Sequence, residues 1–71
     1  MNMTHTDAAL FQRMQELGYS HGCCTVTLQI VSQSKDVARE MLLYATDGRP
    51  REKRFIEKLG QVCSEYGVET V

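Results

Sequence analysis

The run from residue 24 to residue 31 decides what this chain can fold into. Cys24, Val26, Leu28 and Ile30 alternate with Thr25, Thr27, Gln29 and Val31. Period two with many β-branched residues predicts a strand over 24–31, with one face buried and one wet. The competing reading continues a helix from Cys23 through Ala45 and makes the chain an all-α three-helix domain. Thr25-Val26-Thr27 opens a helix poorly, because β-branched side chains lose χ1 freedom against the preceding turn. The strand is the leading reading, and the all-α domain is its alternative.

A lone strand leaves its N–H and C=O groups unpaired and must find a partner. Within the chain only Val68–Val71 offers one, as a short edge strand, and it reads equally well as a tail. Size points the same way. With 71 residues the chain allows one domain, residues 1–71. Below about 70–80 residues a single core rarely supplies more than ~3–5 kcal/mol, so such chains recruit disulfides, a metal or a second subunit. The three cysteines, Cys23, Cys24 and Cys63, cannot pair completely within one chain, and adjacent Cys23 and Cys24 cannot bridge without strain. A reduced, cytoplasmic chain is the expectation, and self-pairing of the strand across a two-fold axis would answer both needs at once.

The flanking segments are periodic in the helical sense. Leu10, Phe11, Met14 and Leu17 share one face of a predicted helix over 7–17, capped by Thr6, or by Thr4 with Asp7, and closed by Gly18. Ser34 caps a second predicted helix over 35–46, with Asp36 at its positive end and Val37, Met41, Tyr44 and Ala45 as its apolar stripe, Leu42 beside them. Asp47-Gly48-Arg49-Pro50 ends it, Gly48 being the residue able to take positive φ. Pro50 then opens a third helix over 50–66, whose apolar face is Phe55, Ile56, Leu59, Val62, Cys63 and Tyr66, and Gly67 closes it. The expected fold is a small, mainly α (α+β) domain in the order helix, strand, helix, helix.

Composition excludes several classes. The chain is 42% hydrophobic and nets −1, which is not the composition of a disordered segment. No apolar run approaches the ~20 residues of a membrane span, and Met1–Asp7 has neither the basic nor the apolar stretch of an export signal. Charge is nevertheless uneven. Arg49, Arg51, Lys53, Arg54 and Lys58, against Glu52 and Glu57, leave residues 49–58 at +3 and the rest of the chain at −4. One reading is a solvated helix face with i,i+4 neighbours. The other is an anion site, since helix-start N–H groups point outward and arginines add bidentate donors to phosphate.

The order of elements resembles the ribbon-helix-helix family of dimeric DNA-binding repressors over about residues 24–67. The resemblance implies that Thr25–Val31 is a ribbon paired with its twin in the major groove, with Ser34–Ala45 and Pro50–Tyr66 as the two helices. It places Thr25, Thr27 and Gln29 at base-reading positions and Gly48, Arg49 and Arg51, with Lys53 and Arg54 beside them, near phosphate. Glutamine can bind adenine bidentately, and threonine offers a hydroxyl and a methyl. The function implied is that of a small homodimeric transcriptional regulator, with double-stranded DNA and a second copy of the chain as partners.

A second expectation comes from another class. An α-rich adaptor or inhibitor would set Arg49–Lys58 against an acidic surface and offer Phe11 and Met14 to a groove-bearing protein. Metal is not expected: His21-Gly22-Cys23-Cys24, His5 and Cys63 hold suitable atoms, but zinc motifs separate paired cysteines by two residues or more, and strand neighbours face opposite ways. Cys63 reads as a small core residue. With no phosphate loop, nucleophile elbow or suggestive carboxylate pair, the chain is not expected to be an enzyme or to hold a cofactor.

Overall fold

The computed structural model describes residues 4–68. Within them the chain forms α1 (His5–Glu16), α2 (His21–Val31), α3 (Lys35–Gly48) and α4 (Glu52–Tyr66), and there is no strand among the described residues. The α+β expectation is thereby corrected. Residues 24–31 lie inside α2, and the all-α alternative describes the fold, with a fourth helix added. Val68 is half-buried against the core and not in a strand, and the rest of the proposed 68–71 edge strand lies outside the described residues.

The overturned segment is helical for tertiary reasons. Cys24, Thr27 and Val31, at i, i+3 and i+7, are the side chains that α2 buries most deeply. Thr27 counts there as an apolar residue, at 1% exposure, whereas Val26, counted as inward in the alternating pattern, is 54% exposed. A helix also satisfies its own backbone, which a strand without a partner could not do. Ser20 caps it, its Oγ accepting from the Cys23 N–H at 3.2 Å. Glu52 then fixes the cap from across the fold, its carboxylate accepting from the Ser20 N–H at 2.8 Å and the Ser20 hydroxyl at 3.1 Å. Burial and this distant carboxylate outweigh the intrinsic β preference, which spans only about 1 kcal/mol.

The other ends follow local chemistry. Thr4 Oγ1 accepts from the Asp7 N–H at 3.0 Å, and Ser34 Oγ accepts from the Val37 N–H at 3.4 Å. Gly18 takes φ +82° after α1, and the Tyr19 N–H returns to the Met14 carbonyl, which closes that helix end and turns Tyr19 into the core. Gly67, at φ +70°, does the same for α4, with the Val68 N–H on the Cys63 carbonyl. The α3–α4 turn departs from expectation. Gly48 remains helical, and Arg49 takes the left-handed conformation at φ 43°, ψ 52°. A residue preceding proline is disfavoured in the right-handed helical region, so α3 stops one residue before it. Pro50 lies outside α4 rather than in its first turn, and Arg51 is the N-cap residue.

α3 is central, packing most extensively against α1 and α4, while α2 leans on the other three. The core holds Leu10 and Met14 of α1, Val37, Met41 and Ala45 of α3, and Phe55, Leu59, Val62 and Cys63 of α4. Tyr19 joins its two halves: its ring lies 5.1 Å from that of Phe55, and its hydroxyl donates to the Pro50 carbonyl.

Candidate functional site

The N-terminal ends of α2 and α4 are tied together by Ser20, Glu52, Tyr19 and Phe55. Beyond this tie the two helices leave an apolar groove of about 460 Å³, lined by Gly22, Cys23, Val26, Thr27 and Ile30 of α2 and by Ile56, Leu59 and Gly60 of α4. Thr27, Ile30 and Leu59 are buried at its base. Val26 stands 54% exposed on one side and Ile56 48% exposed on the other. Both were read from the sequence as core-facing, and the groove exists because they are not.

Helix spacing explains the lining. Gly22, Val26 and Ile30 follow one another at four-residue intervals on α2, and Ile56 and Gly60 do so on α4. A Cβ built on Gly22 or Gly60 meets no atom within 4 Å, so each glycine faces open space. Gly60 sits inside α4 without positive φ, where glycine is less favourable than alanine by about 1 kcal/mol. No backbone requirement explains it. Among the residues of α2 from His21 to Val31 there is no Asp, Glu, Lys or Arg, so this wall of the groove carries no formal charge. On the α4 wall, Lys53 precedes Ile56 by three residues and Gly60 by seven, which places it on the same face at the tied end.

The positions singled out in the sequence separate. In a helix Thr25 and Gln29 share one face, and Thr27 lies on the other. Thr25 and Gln29 are exposed, with the Thr25 hydroxyl donating to the His21 carbonyl at 3.0 Å, while Thr27 is buried. The base-reading ribbon implied by the family resemblance is therefore absent. The basic cluster does assemble: Arg49, Arg51, Lys53 and Arg54 are all exposed at the α3–α4 turn and the first turn of α4. Among the described residues the one salt bridge joins Arg13 to Glu16, so these four cations have no carboxylate within 4.0 Å. Lys58 lies 5.7 Å from the centre of the Tyr44 ring. Met14 is buried in the core and Phe11 packs against it, so α1 does not offer this pair to a partner.

The groups shifted by the fold are tyrosines and cysteines, each pushed toward its neutral form. Burial pushes the Tyr19 hydroxyl up to about 12, with Cys23, Tyr44 and Glu52 adding to the effect. Burial likewise raises the thiols of Cys23, Cys24 and Cys63, although the Thr27 side chain opposes the rise at Cys23. A raised thiol is a poor nucleophile at neutral pH. Among the described residues no three His, Cys, Asp or Glu side chains gather as they would around a metal ion. No helix among them is long and apolar enough to cross a membrane.

Comparison with known protein families, with curated proteins and with solved structures returned no match. The groove residues were legible in the sequence only as a glycine and an aliphatic side chain recurring at four-residue spacing, a signal that has meaning once 24–31 is known to be helical.

Proposed function

We propose that this chain is a non-enzymatic protein-docking module whose α2–α4 groove receives the apolar side of a helix. The observation that carries the reading is the pair Val26 and Ile56, half-exposed on opposite sides of an apolar base. Two aliphatic side chains kept in water beside a depression with room for side chains of a partner form the arrangement in which helices dock, with anchors at i, i+3 or i+4 and i+7. Gly22 and Gly60 leave room for the approaching backbone. The raised thiols and the uncharged α2 wall supply no catalytic group, and three free cysteines suit a reducing, cytoplasmic setting.

Selection of helical peptides from a displayed random library on the folded protein tests this. The expected winners carry apolar residues at helical spacing, and they bind the wild-type protein but not Gly60→Leu, whose side chain enters the groove from a Cβ position that meets no atom within 4 Å. Unchanged helix content by circular dichroism verifies that variant. Winners that bind Gly60→Leu equally well would refute the reading.

A second reading rests on a different observation. The four cations, unpaired among the described residues, stand where α4 starts, and no side-chain cap is made there. This favours contact with a polyanion, DNA among them, through phosphates rather than base edges. Duplex binding would then fall steeply with salt, and Arg51→Ala would lower the salt slope by about one unit. Binding that ignores salt would remove this reading.

A further inference from the structure

We infer that the occupant of the α2–α4 groove is the outer face of α3 from a second copy of this chain, an inference that rests on the docking reading above. Asp36, Glu40, Leu43 and Asp47 fall at i, i+4, i+7 and i+11 on α3 and so form one stripe. It lies opposite Val37, Ala38, Met41 and Ala45, which α3 buries. All four stripe residues are exposed, and Leu43, at 57%, is more exposed than either Val26 or Ile56. A leucine in water among three carboxylates is the chemistry that a basic-lipped apolar groove takes.

The two surfaces complement each other in charge. The α2 wall is uncharged, so it sets no charge against the carboxylates. At the tied end the α4 wall carries Lys53 and the Ser20-bound Glu52, with Arg49 and Arg51 in the turn just before the helix, so the cations there outnumber the one carboxylate. Leu43 seats between Val26 and Ile56 of the other copy, and the stripe carboxylate on the side of Leu43 that meets the tied end lies toward those cations. Among the described residues the large apolar side chains left exposed are Val26, Leu43, Ile56 and Tyr66, and this contact covers all but Tyr66. Tyr66 has its own partner, its hydroxyl donating to Glu40 Oε1 at 3.4 Å. Within its own chain Lys58 lines one shallow depression with Glu40, Leu43 and Asp47, and the exposed Arg39 adjoins Glu40 in sequence, so the stripe's charge is partly offset.

The groove and the stripe are different patches of one surface, so the contact is head-to-tail rather than two-fold. Each open assembly then ends in one free groove and one free stripe, so it grows as a filament unless it closes into a ring.

Sedimentation of the wild-type chain, Leu43→Lys and Gly60→Leu tests the assignment. The wild-type mass should rise with concentration beyond twice the 8.1 kDa of one chain. Leu43→Lys keeps its groove and loses its stripe, and Gly60→Leu keeps its stripe and loses its groove, so each alone should stay at one chain. Mixed in equal amounts they should form a heterodimer and stop there, and raised salt should weaken it. Association that stops at a wild-type dimer, self-association by either variant alone, or a mixture that stays monomeric overturns the inference. A wild-type monomer whose selected peptides still fail on Gly60→Leu overturns self-occupancy and leaves the docking reading standing. If the peptides also bind that variant, both fall.

Discussion

Replacing Gly60 by alanine should make this protein more stable and less able to bind. Gly60 lies well inside α4, which runs from Glu52 to Tyr66, and its φ is not positive. Alanine is better than glycine in a helix interior by about 0.8–1.0 kcal/mol, chiefly because it has less backbone freedom to lose. Against that gain stands any clash of the new methyl, and there is none, since a Cβ at this position meets nothing within 4 Å. The net expectation is therefore a gain of about 1 kcal/mol, which in a domain this small raises the midpoint of thermal unfolding by about 4–8 °C. Circular dichroism melts of the two proteins at equal concentration measure it. The methyl enters the groove, however, and overfilling a packed contact costs about 1–3 kcal/mol. Peptides selected on the wild-type protein should bind the variant about tenfold more weakly or worse. A lower melting temperature would mean that the space beside Gly60 is already filled. Higher stability with unchanged binding would mean that the groove is not where the partner lies.

Arg49→Gly should stabilise the fold by about 1 kcal/mol, because Arg49 holds a left-handed conformation at φ 43° that costs a side chain about that much; urea unfolding reads it, and no gain would place the turn elsewhere. Glu52→Gln should cost about 1 kcal/mol by removing the charge that receives both Ser20 donors, with the loss concentrated in amide-exchange protection of α2 rather than α1. Stability should decline as the pH rises from about 10 toward 12: Tyr19, with its ordinary value of 10.0 and about 12 in the fold, favours the folded chain while protonated and loses that advantage across this window. Tyr19→Phe should flatten the decline, and an unchanged profile would assign it to other groups.

Much of the fold is written locally. Thr4 with Asp7, Gly18, Ser34 and Gly67 act at the helix ends where their chemistry places them, because a cap and a left-handed closure involve residues three to six apart. Residues 24–31 were not legible in this way. Cys24, Leu28 and Val31 satisfy a helical stripe, while Cys24, Val26, Leu28 and Ile30 satisfy an alternating one, so the run supports both periods. What separates them is the burial of Thr27 and the Glu52 carboxylate, neither of which is visible from within the segment. The site divides along the same line. The basic cluster is a matter of composition and could be read directly. The groove depends on Val26 and Ile56 failing to meet other side chains, and that is a property of how α2 and α4 lie together.

The cap of α2 has a consequence for how the fold comes apart. Ser20 and Glu52 are 32 residues apart, so the start of α2 keeps its carboxylate only while α4 is docked beside it. When α4 lifts away, an uncharged, β-prone run with no proline loses that anchor, and it is the kind of segment that stacks with copies of itself. Glu52 is then not only a helix anchor but also a guard against aggregation from partly opened molecules, and Glu52→Ala should shorten the lag before insoluble material forms on mild heating.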